Sequence, residues 1–166
     1  MPARSCRSRL LGVYRGSATR GVGRAASYVM HPAYRPLFET LLYCKPYPGT
    51  LNLRLDDDSA RAWRRVLTEV GPCTVYNPRV EGYKPVGVVE ALLYGVIPAV
   101  IVAPSATLHP PSIIEIVACQ RLWELVAEKP VYVIAGCRLL NCWKMWLHRL
   151  ENILASLKEG GEMLEV

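Results

Sequence analysis

Apolar and polar residues alternate from Thr50 to Leu55, with Leu51, Leu53 and Leu55 on one face and Thr50, Asn52 and Arg54 on the other. A period of two marks a half-buried strand. The rigid turn Pro46-Tyr47-Pro48-Gly49 precedes it, and two prolines with a glycine there break any continuing element. Earlier in the chain, Leu10 to Arg15 is β-prone, followed by a basic glycine loop over Gly16 to Arg24 and a second β-prone run, Ser27 to Met30. Between Tyr34 and Tyr43, Leu37, Phe38, Leu41 and Leu42 recur at helical spacing, and Pro36 suits a first turn.

Downstream of the strand, a helix is predicted over Ala60 to Val70, with Ser59 or Asp58 as its N-cap. Residues 74–117 are mostly strand-like, with turns near Tyr94-Gly95 and between Ala103 and Pro111. A short helical segment spans Cys119 to Glu128, and Pro130 to Ala135 makes a closing strand. Many short strands with brief helices between them predict a β-barrel rather than a βαβ architecture. Leu139, Leu140, Trp143, Leu147, Leu150, Ile153, Leu154 and Leu157 then form one apolar helical stripe. Such a stripe packs on its own domain or pairs two chains, which leaves a monomer and a homodimer through this helix both open.

Composition changes this picture little. With 51% apolar and 20% charged residues in 166, the chain can bury one sizeable core and is not of a disordered class. The longest apolar stretch, Val86 to Pro104, is interrupted by Glu90, Gly95 and Pro98, so it reads as two buried strands and a turn, not a membrane span. Charge is more informative. The net charge is +6, and residues 1–38 hold seven arginines and no acid. A cationic lobe attracts phosphate-bearing partners. A nucleic-acid surface is disfavoured, because the lobe lacks the interleaved aromatics of a stacking platform. Cys6, Cys44, Cys73, Cys119, Cys137 and Cys142 show no C-x-x-C pair, so reduced thiols in a cytoplasmic protein are expected, with a Cys137 to Cys142 disulfide as the alternative. The Arg-rich, acid-free start imitates a transit peptide, but the early strand and the glycine loop argue against one.

Three constellations are candidates for chemistry. Asp56-Asp57-Asp58 suggests a metal site, against which helix-start acids favoured by the macrodipole are the preferred reading. Gly21-Val22-Gly23-Arg24-Ala25-Ala26 matches G-x-G-x-x-A. A dinucleotide fold needs that loop to open into a helix, whereas Ser27 to Met30 reads as strand, so the Rossmann reading is rejected. A glycine loop flanked by Arg20 and Arg24 still offers backbone N–H groups and charge to phosphates. Thr50 and Asn52 present two hard neutral oxygen donors on one strand face, suited to a magnesium ion whose charge nucleotide phosphates would balance, or to hydrogen-bonding the turn. His31 and His148 carry no usable signal, and His109, beside Pro110-Pro111, reads as structural.

These pieces occur in a fixed order: the G-x-G loop at Gly21 with Tyr34 thirteen residues on, Pro46 to Leu53, then Thr107-x-His109 followed by Glu115 in Ile113-Ile114-Glu115-Ile116-Val117-Ala118. Together they resemble the archaeal CTP-dependent riboflavin kinases over roughly residues 10–136. The resemblance implies a mainly β fold with short helices, a small closed cradle-like barrel. The barrel domain would span 10–136, and the charge and apolar patterns add a basic N-terminal tail over 1–9 and a C-terminal amphipathic helix and tail over 137–166. The implied reaction moves the γ-phosphoryl group of CTP to the ribityl 5′-hydroxyl of riboflavin, giving FMN and CDP in the cytoplasm. By the same resemblance, Gly21, Val22, Gly23, Arg24, Ala25 and Ala26, with Gln120, Arg121, Leu122 and Trp123, would hold the nucleotide. Thr50 and Asn52 would bind Mg2+, and Thr107 and Glu115 would contact riboflavin or FMN. Glu115 would orient the hydroxyl and accept its proton, or only hydrogen-bond the substrate.

The chain departs from that family's pattern in three places. Arg24 and Ala25 stand where an acid and a glycine are usual, Trp123 stands where an arginine is usual, and an Asp-Gly-Asp turn is missing around Glu128-Lys129-Pro130. Two classes therefore remain open: an active kinase, and a non-catalytic relative that binds flavin or nucleotide.

Overall fold

A computed structural model describes residues 6–21, 24–104 and 112–159, with the backbone alone at 24–26 and 104. In chain order the elements are β1 (Arg9–Thr19), α1 (Arg24–Val29), α2 (Arg35–Leu42), β2 (Leu51–Leu55), α3 (Asp57–Glu69), β3 (Thr74–Tyr76), β4 (Val86–Leu93), β5 (Ile97–Pro104), β6 (Ile113–Ala118), α4 (Trp123–Val126), β7 (Pro130–Cys137) and α5 (Leu139–Glu159). The strands run antiparallel in the order β3-β4-β5-β6-β2-β1-β7, and β7 returns to pair with β4. Six strands thus close into a barrel, with β3 as a seventh. One edge of β4 is shared: its first half pairs with β3 at Thr74 to Tyr76, and its second half pairs with β7 at Val133 to Gly136.

Alternation decides which side chains fill the barrel. Leu51, Leu53 and Leu55 of β2 point inward with Tyr14, Val89, Ala91, Leu93, Ile101, Ile116 and Val133, as the period-two pattern requires. A second apolar layer lies outside β4, β5 and β6, where Leu37, Phe38 and Leu42 of α2 and Leu140 of α5 cover Val88, Leu92, Val100 and Val117. Being covered on both faces, β4 is buried at every position. That accounts for a sequence with no polar alternation.

Three local expectations are corrected. The glycine loop does open into a helix, since α1 occupies Arg24–Val29 where a strand was expected from Ser27. What excludes a Rossmann fold is instead the antiparallel barrel. β1 runs on to Thr19, beyond the expected end at Arg15, because its second half pairs with β2 from Gly16 to Thr19. The cap of α3 is Asp56 rather than Asp58 or Ser59: its carboxylate accepts from the Ser59 N–H at 2.8 Å. Asp57 and Asp58 occupy the first turn, and no metal-binding cluster of acids, His or Cys occurs among the described residues.

The cysteines also differ from expectation. All six are paired, as Cys6–Cys142, Cys44–Cys119 and Cys73–Cys137. Cys137 and Cys142 therefore join different partners, and none of the six is a reduced thiol. The contacts are long-range, between segments brought together by barrel closure, so sequence spacing carried no sign of them.

Helix α5 is anchored only at its start. Glu90 of β4 is buried, and its carboxylate accepts from Arg138 N–H at 2.8 Å and Leu140 N–H at 3.1 Å, satisfying donors at the helix N-terminus. Lys144 lies 3.1 Å from the centroid of the Tyr43 ring. Leu140 is buried and Trp143 packs partly on the outer layer, but Leu150, Ile153, Leu154 and Leu157 are all at least 40% exposed. The stripe thus packs on the barrel over its first turns and leaves it thereafter. No described helix is long and apolar enough to cross a membrane.

Candidate active site

One row of side chains crosses the outer face of the barrel. Thr19 of β1 stands opposite Asn52 of β2, Asn52 stands opposite Glu115 of β6, and Glu115 stands opposite Val102 of β5. Residues directly opposite in antiparallel strands share a face. Since Leu51, Leu53 and Leu55 point into the barrel, Asn52 must point out of it. Asn52 and Glu115 are nonetheless buried, at 5% and 6% exposure.

A pocket of about 380 Å³ opens at the Asn52 end of this row. One wall is the end of β1 with Thr19, Arg20 and Gly21, a second is Tyr47, Gly49, Thr50, Leu51 and Asn52, and a third is Ile116 and Ala118 with Gln120 to Trp123. The second and third walls are joined three times. Leu51 pairs with Ile116, the Tyr47 N–H donates to the Ala118 carbonyl at 2.8 Å, and the Cys44–Cys119 disulfide closes the same junction. The pocket is therefore built on the barrel rather than on free loops.

Asn52 Oδ1 is buried and has no hydrogen-bond partner among the described residues. Such an orphaned acceptor costs about 1–3 kcal/mol, so it fits a site that receives a donor or cation from a ligand. With the Thr50 hydroxyl in the same pocket, the donor set is two neutral hard oxygens, which fits a magnesium ion that keeps water and phosphate ligands of its own. No carboxylate is among the residues lining the pocket, and two arginines are. Arg121 Nη1 is 2.8 Å from Glu124 Oε1. The Arg20 guanidinium carbon lies 5.6 Å from the centroid of the Trp123 ring. Cationic, donor-rich walls with no lining acid favour an anionic ligand.

The pocket collects Gly21, Thr50, Asn52, Gln120, Arg121, Leu122 and Trp123 from three separate stretches of sequence. Glu115 does not line it, but lies one strand over beside Asn52. Val22, Gly23 and Thr107 lie outside the described residues, as does His109, and Arg24, Ala25 and Ala26 belong to α1. Sequence reasoning missed Thr19 and Tyr47. Thr19 was hidden by ending β1 too early, and its register opposite Asn52 was the available signal. Tyr47 stood inside the Pro46 to Leu53 motif but was given no role of its own. His31 proves structural: its Nδ1 accepts from the Ala33 N–H at 3.1 Å, which leaves Nε2 to face the Tyr83 hydroxyl at 2.8 Å.

A family model for CTP-dependent riboflavin kinases (CTP-dep_RFKase, described as "Domain of unknown function DUF120") matches residues 18–130, more than half of the chain. The chain belongs to this family. It is 36% identical over 124 residues to the riboflavin kinase of Thermococcus kodakarensis, covering 71% of this chain and 54% of that protein. It is 35% identical over 120 residues to the riboflavin kinase of Methanosarcina barkeri, covering 69% and 51%. The riboflavin kinase of Sulfurisphaera tokodaii is 29% identical over 126 residues, covering 74% of this chain and 91% of that protein. The chain thus spans about half the length of the first two relatives and most of the third. The family match holds every wall of the pocket and stops at the start of β7, so α5 lies beyond it.

Proposed function

We propose that this chain is a magnesium-dependent riboflavin kinase that takes its phosphoryl group from CTP. The observation that carries the reading is Asn52: a buried amide oxygen without a partner among the described residues, beside Thr50, in a pocket that also gathers Gly21 and Gln120 to Trp123. Family membership and the riboflavin kinase relatives support the reaction class. The family's name supports the choice of CTP.

In the proposed reaction the ribityl 5′-hydroxyl oxygen bonds to the γ-phosphorus of CTP. The bond from that phosphorus to the β,γ-bridging oxygen breaks, CDP leaves with the electron pair, and the hydroxyl proton is released. A magnesium ion held by Thr50 and Asn52 would supply charge that neutralises the phosphate oxygens. Phosphoryl transfer passes through a loose transition state, so the protein's part is chiefly positioning and charge. The Gly21 segment and Gln120 to Trp123 hold the nucleotide from two walls. Glu115, opposite Asn52 on the neighbouring strand, orients the hydroxyl and takes its proton. Thr107 contacts the flavin.

The test is to incubate the purified chain with riboflavin, magnesium and each nucleoside triphosphate in turn, with FMN separated by chromatography. FMN is expected with CTP, and is expected to vanish with a chelator and in Thr50→Ala and Asn52→Ala. Absence of FMN with every triphosphate, at a temperature where circular dichroism shows the chain folded, would overturn the reading.

A further inference from the structure

The two arginines of the pocket are in different electrostatic situations. Arg121 is paired with Glu124 at 2.8 Å in an exposed ion pair, which offsets part of its charge. Arg20 pairs with no carboxylate among the described residues. Its guanidinium carbon lies over the face of Trp123, 5.6 Å from the ring centroid. Stacking on an indole leaves the in-plane N–H groups of a guanidinium free to donate. Arg20 also sits between two residues that meet Asn52: Thr19 is its cross-strand partner, and a side chain on Gly21 would collide with it. A cation without a carboxylate partner among the described residues is thus carried by a backbone segment that packs against the Asn52 amide. Trp123 belongs to a different wall, at the first residue of α4, so the stack bridges two walls of the pocket.

We infer that Arg20 supplies the uncompensated positive charge that meets the terminal phosphates of the nucleotide, and that Trp123 is the positioning residue that holds the Arg20 guanidinium there by stacking. The inference rests on the kinase reading for the identity of the ligand. Without Trp123, a long exposed arginine would sample many rotamers and lose side-chain entropy on binding. Stacking restricts those rotamers before the ligand arrives. The alternative use of Trp123, as a platform for the base itself, makes a different prediction.

The experiment is calorimetric titration, with magnesium present, of CDP and separately of inorganic tripolyphosphate, which has no base. The chains compared are wild type, Arg20→Ala, Arg20→Lys, Trp123→Ala, Trp123→Phe and the Arg20→Ala/Trp123→Ala double variant. Arg20→Ala is expected to weaken both probes about tenfold, the scale of one charge-assisted contact. Trp123→Ala should reproduce most of that loss for both probes, and Trp123→Phe, which keeps a ring, should restore it. The double variant should bind no worse than Arg20→Ala alone, an outcome that general damage to the pocket would not give. Unchanged binding in Arg20→Ala overturns the inference, as does a wild type that binds neither probe. So does a loss on Trp123→Ala confined to CDP and undiminished in the Arg20→Ala background, which is the signature of base stacking. Arg20-dependent tripolyphosphate binding in a chain that makes no FMN from any triphosphate would support the inference and sink the kinase reading.

Discussion

A β-carbon added at Gly21 would stand 1.6 Å from Nδ2 of Asn52. The backbone at Gly21 is not in the left-handed region, so glycine is required there for space and not for conformation. The amide of Asn52 and the end of the β1 wall are packed as one unit. Gly21→Ala must push the Asn52 side chain away from its present place. A displacement on the scale of an ångström at a reacting centre lowers turnover about a hundredfold. We expect FMN formation to fall by about that factor in Gly21→Ala, with a smaller effect on the melting temperature, because the atoms that must give way are the tip of the Asn52 side chain and not backbone. Wild-type turnover in this variant would show that the Asn52 position is immaterial.

Asn52 also offers a separation of function from stability. Its Oδ1 is buried without a partner among the described residues, a state that lowers stability by about 1–3 kcal/mol unless a ligand relieves it. Leucine has the same branched shape with a larger volume, and no polar atom to bury. Asn52→Leu is therefore expected to melt no lower than wild type, and to lose FMN formation. Thermal melts without ligand, run beside the turnover assay, check both halves. A lower melting temperature in the variant would indicate that the amide is satisfied in the free protein.

Much of this site was legible before the fold was known, and the reason is local. Asn52 lies in β2 and Thr50 just before it, in a run whose alternation is unbroken, so period two alone led to two residues that line one pocket. The β-barrel also followed, from short strands separated by brief helices. What escaped depended on partners distant in sequence. Ser27 to Met30 has β-prone residues, but tertiary packing of Val29 beneath α2 takes it into a helix. Thr19 faces Asn52 only because β1 continues along β2. The Arg20 and Trp123 pair joins residues over a hundred positions apart, and the disulfides span separations of 64 to 136 residues. No periodicity encodes such meetings.

The Cys44–Cys119 disulfide closes a separation of 75 residues and sits where the Tyr47 turn meets the end of β6. Removing a cross-link of such span costs about 2–4 kcal/mol, through the larger conformational freedom of the unfolded chain. The double variant Cys44→Ala/Cys119→Ala should melt measurably lower. Because Tyr47 and Gln120 follow the two cysteines closely, its KM for CTP should rise more than its kcat falls. Equal melting temperatures for the variant and for wild type under non-reducing conditions would mean that the bond is absent in solution.

Glu90 predicts a loss of stability remote from the pocket. Its two carboxylate oxygens receive the N–H groups of Arg138 and Leu140, and both donors would otherwise be stranded at the start of α5. Glu90→Ala should cost about 2–5 kcal/mol, through two unsatisfied donors and a small cavity. Glu90→Gln keeps one acceptor and should cost less. Denaturant melts measure both. Turnover of the folded fraction should be unchanged, since Glu90 does not line the pocket.

Acid sensitivity should be traceable to Asp56. The hydrogen bond from the Ser59 N–H holds its carboxyl below the ordinary value of 3.8, with Arg15 and Arg61 adding in the same direction. The Arg15 N–H in turn donates to Ser59 Oγ at 2.8 Å, and the Asp56 N–H to the Arg15 carbonyl at 3.0 Å. This cap therefore latches α3 onto β1. A depressed folded value means that the ionised form favours folding, so the contribution is fully present above the unfolded value of 3.8. It is lost as pH falls through the lower, folded value. The melting temperatures of wild type and Asp56→Ala should differ by a constant amount from neutral pH down to about pH 4, and converge below it. Asp56→Asn, which keeps a neutral cap acceptor, should lie between them at neutral pH. A difference from Asp56→Ala that persists unchanged to about pH 2 would place the stabilisation in the side-chain hydrogen bond to Ser59 and not in the charge.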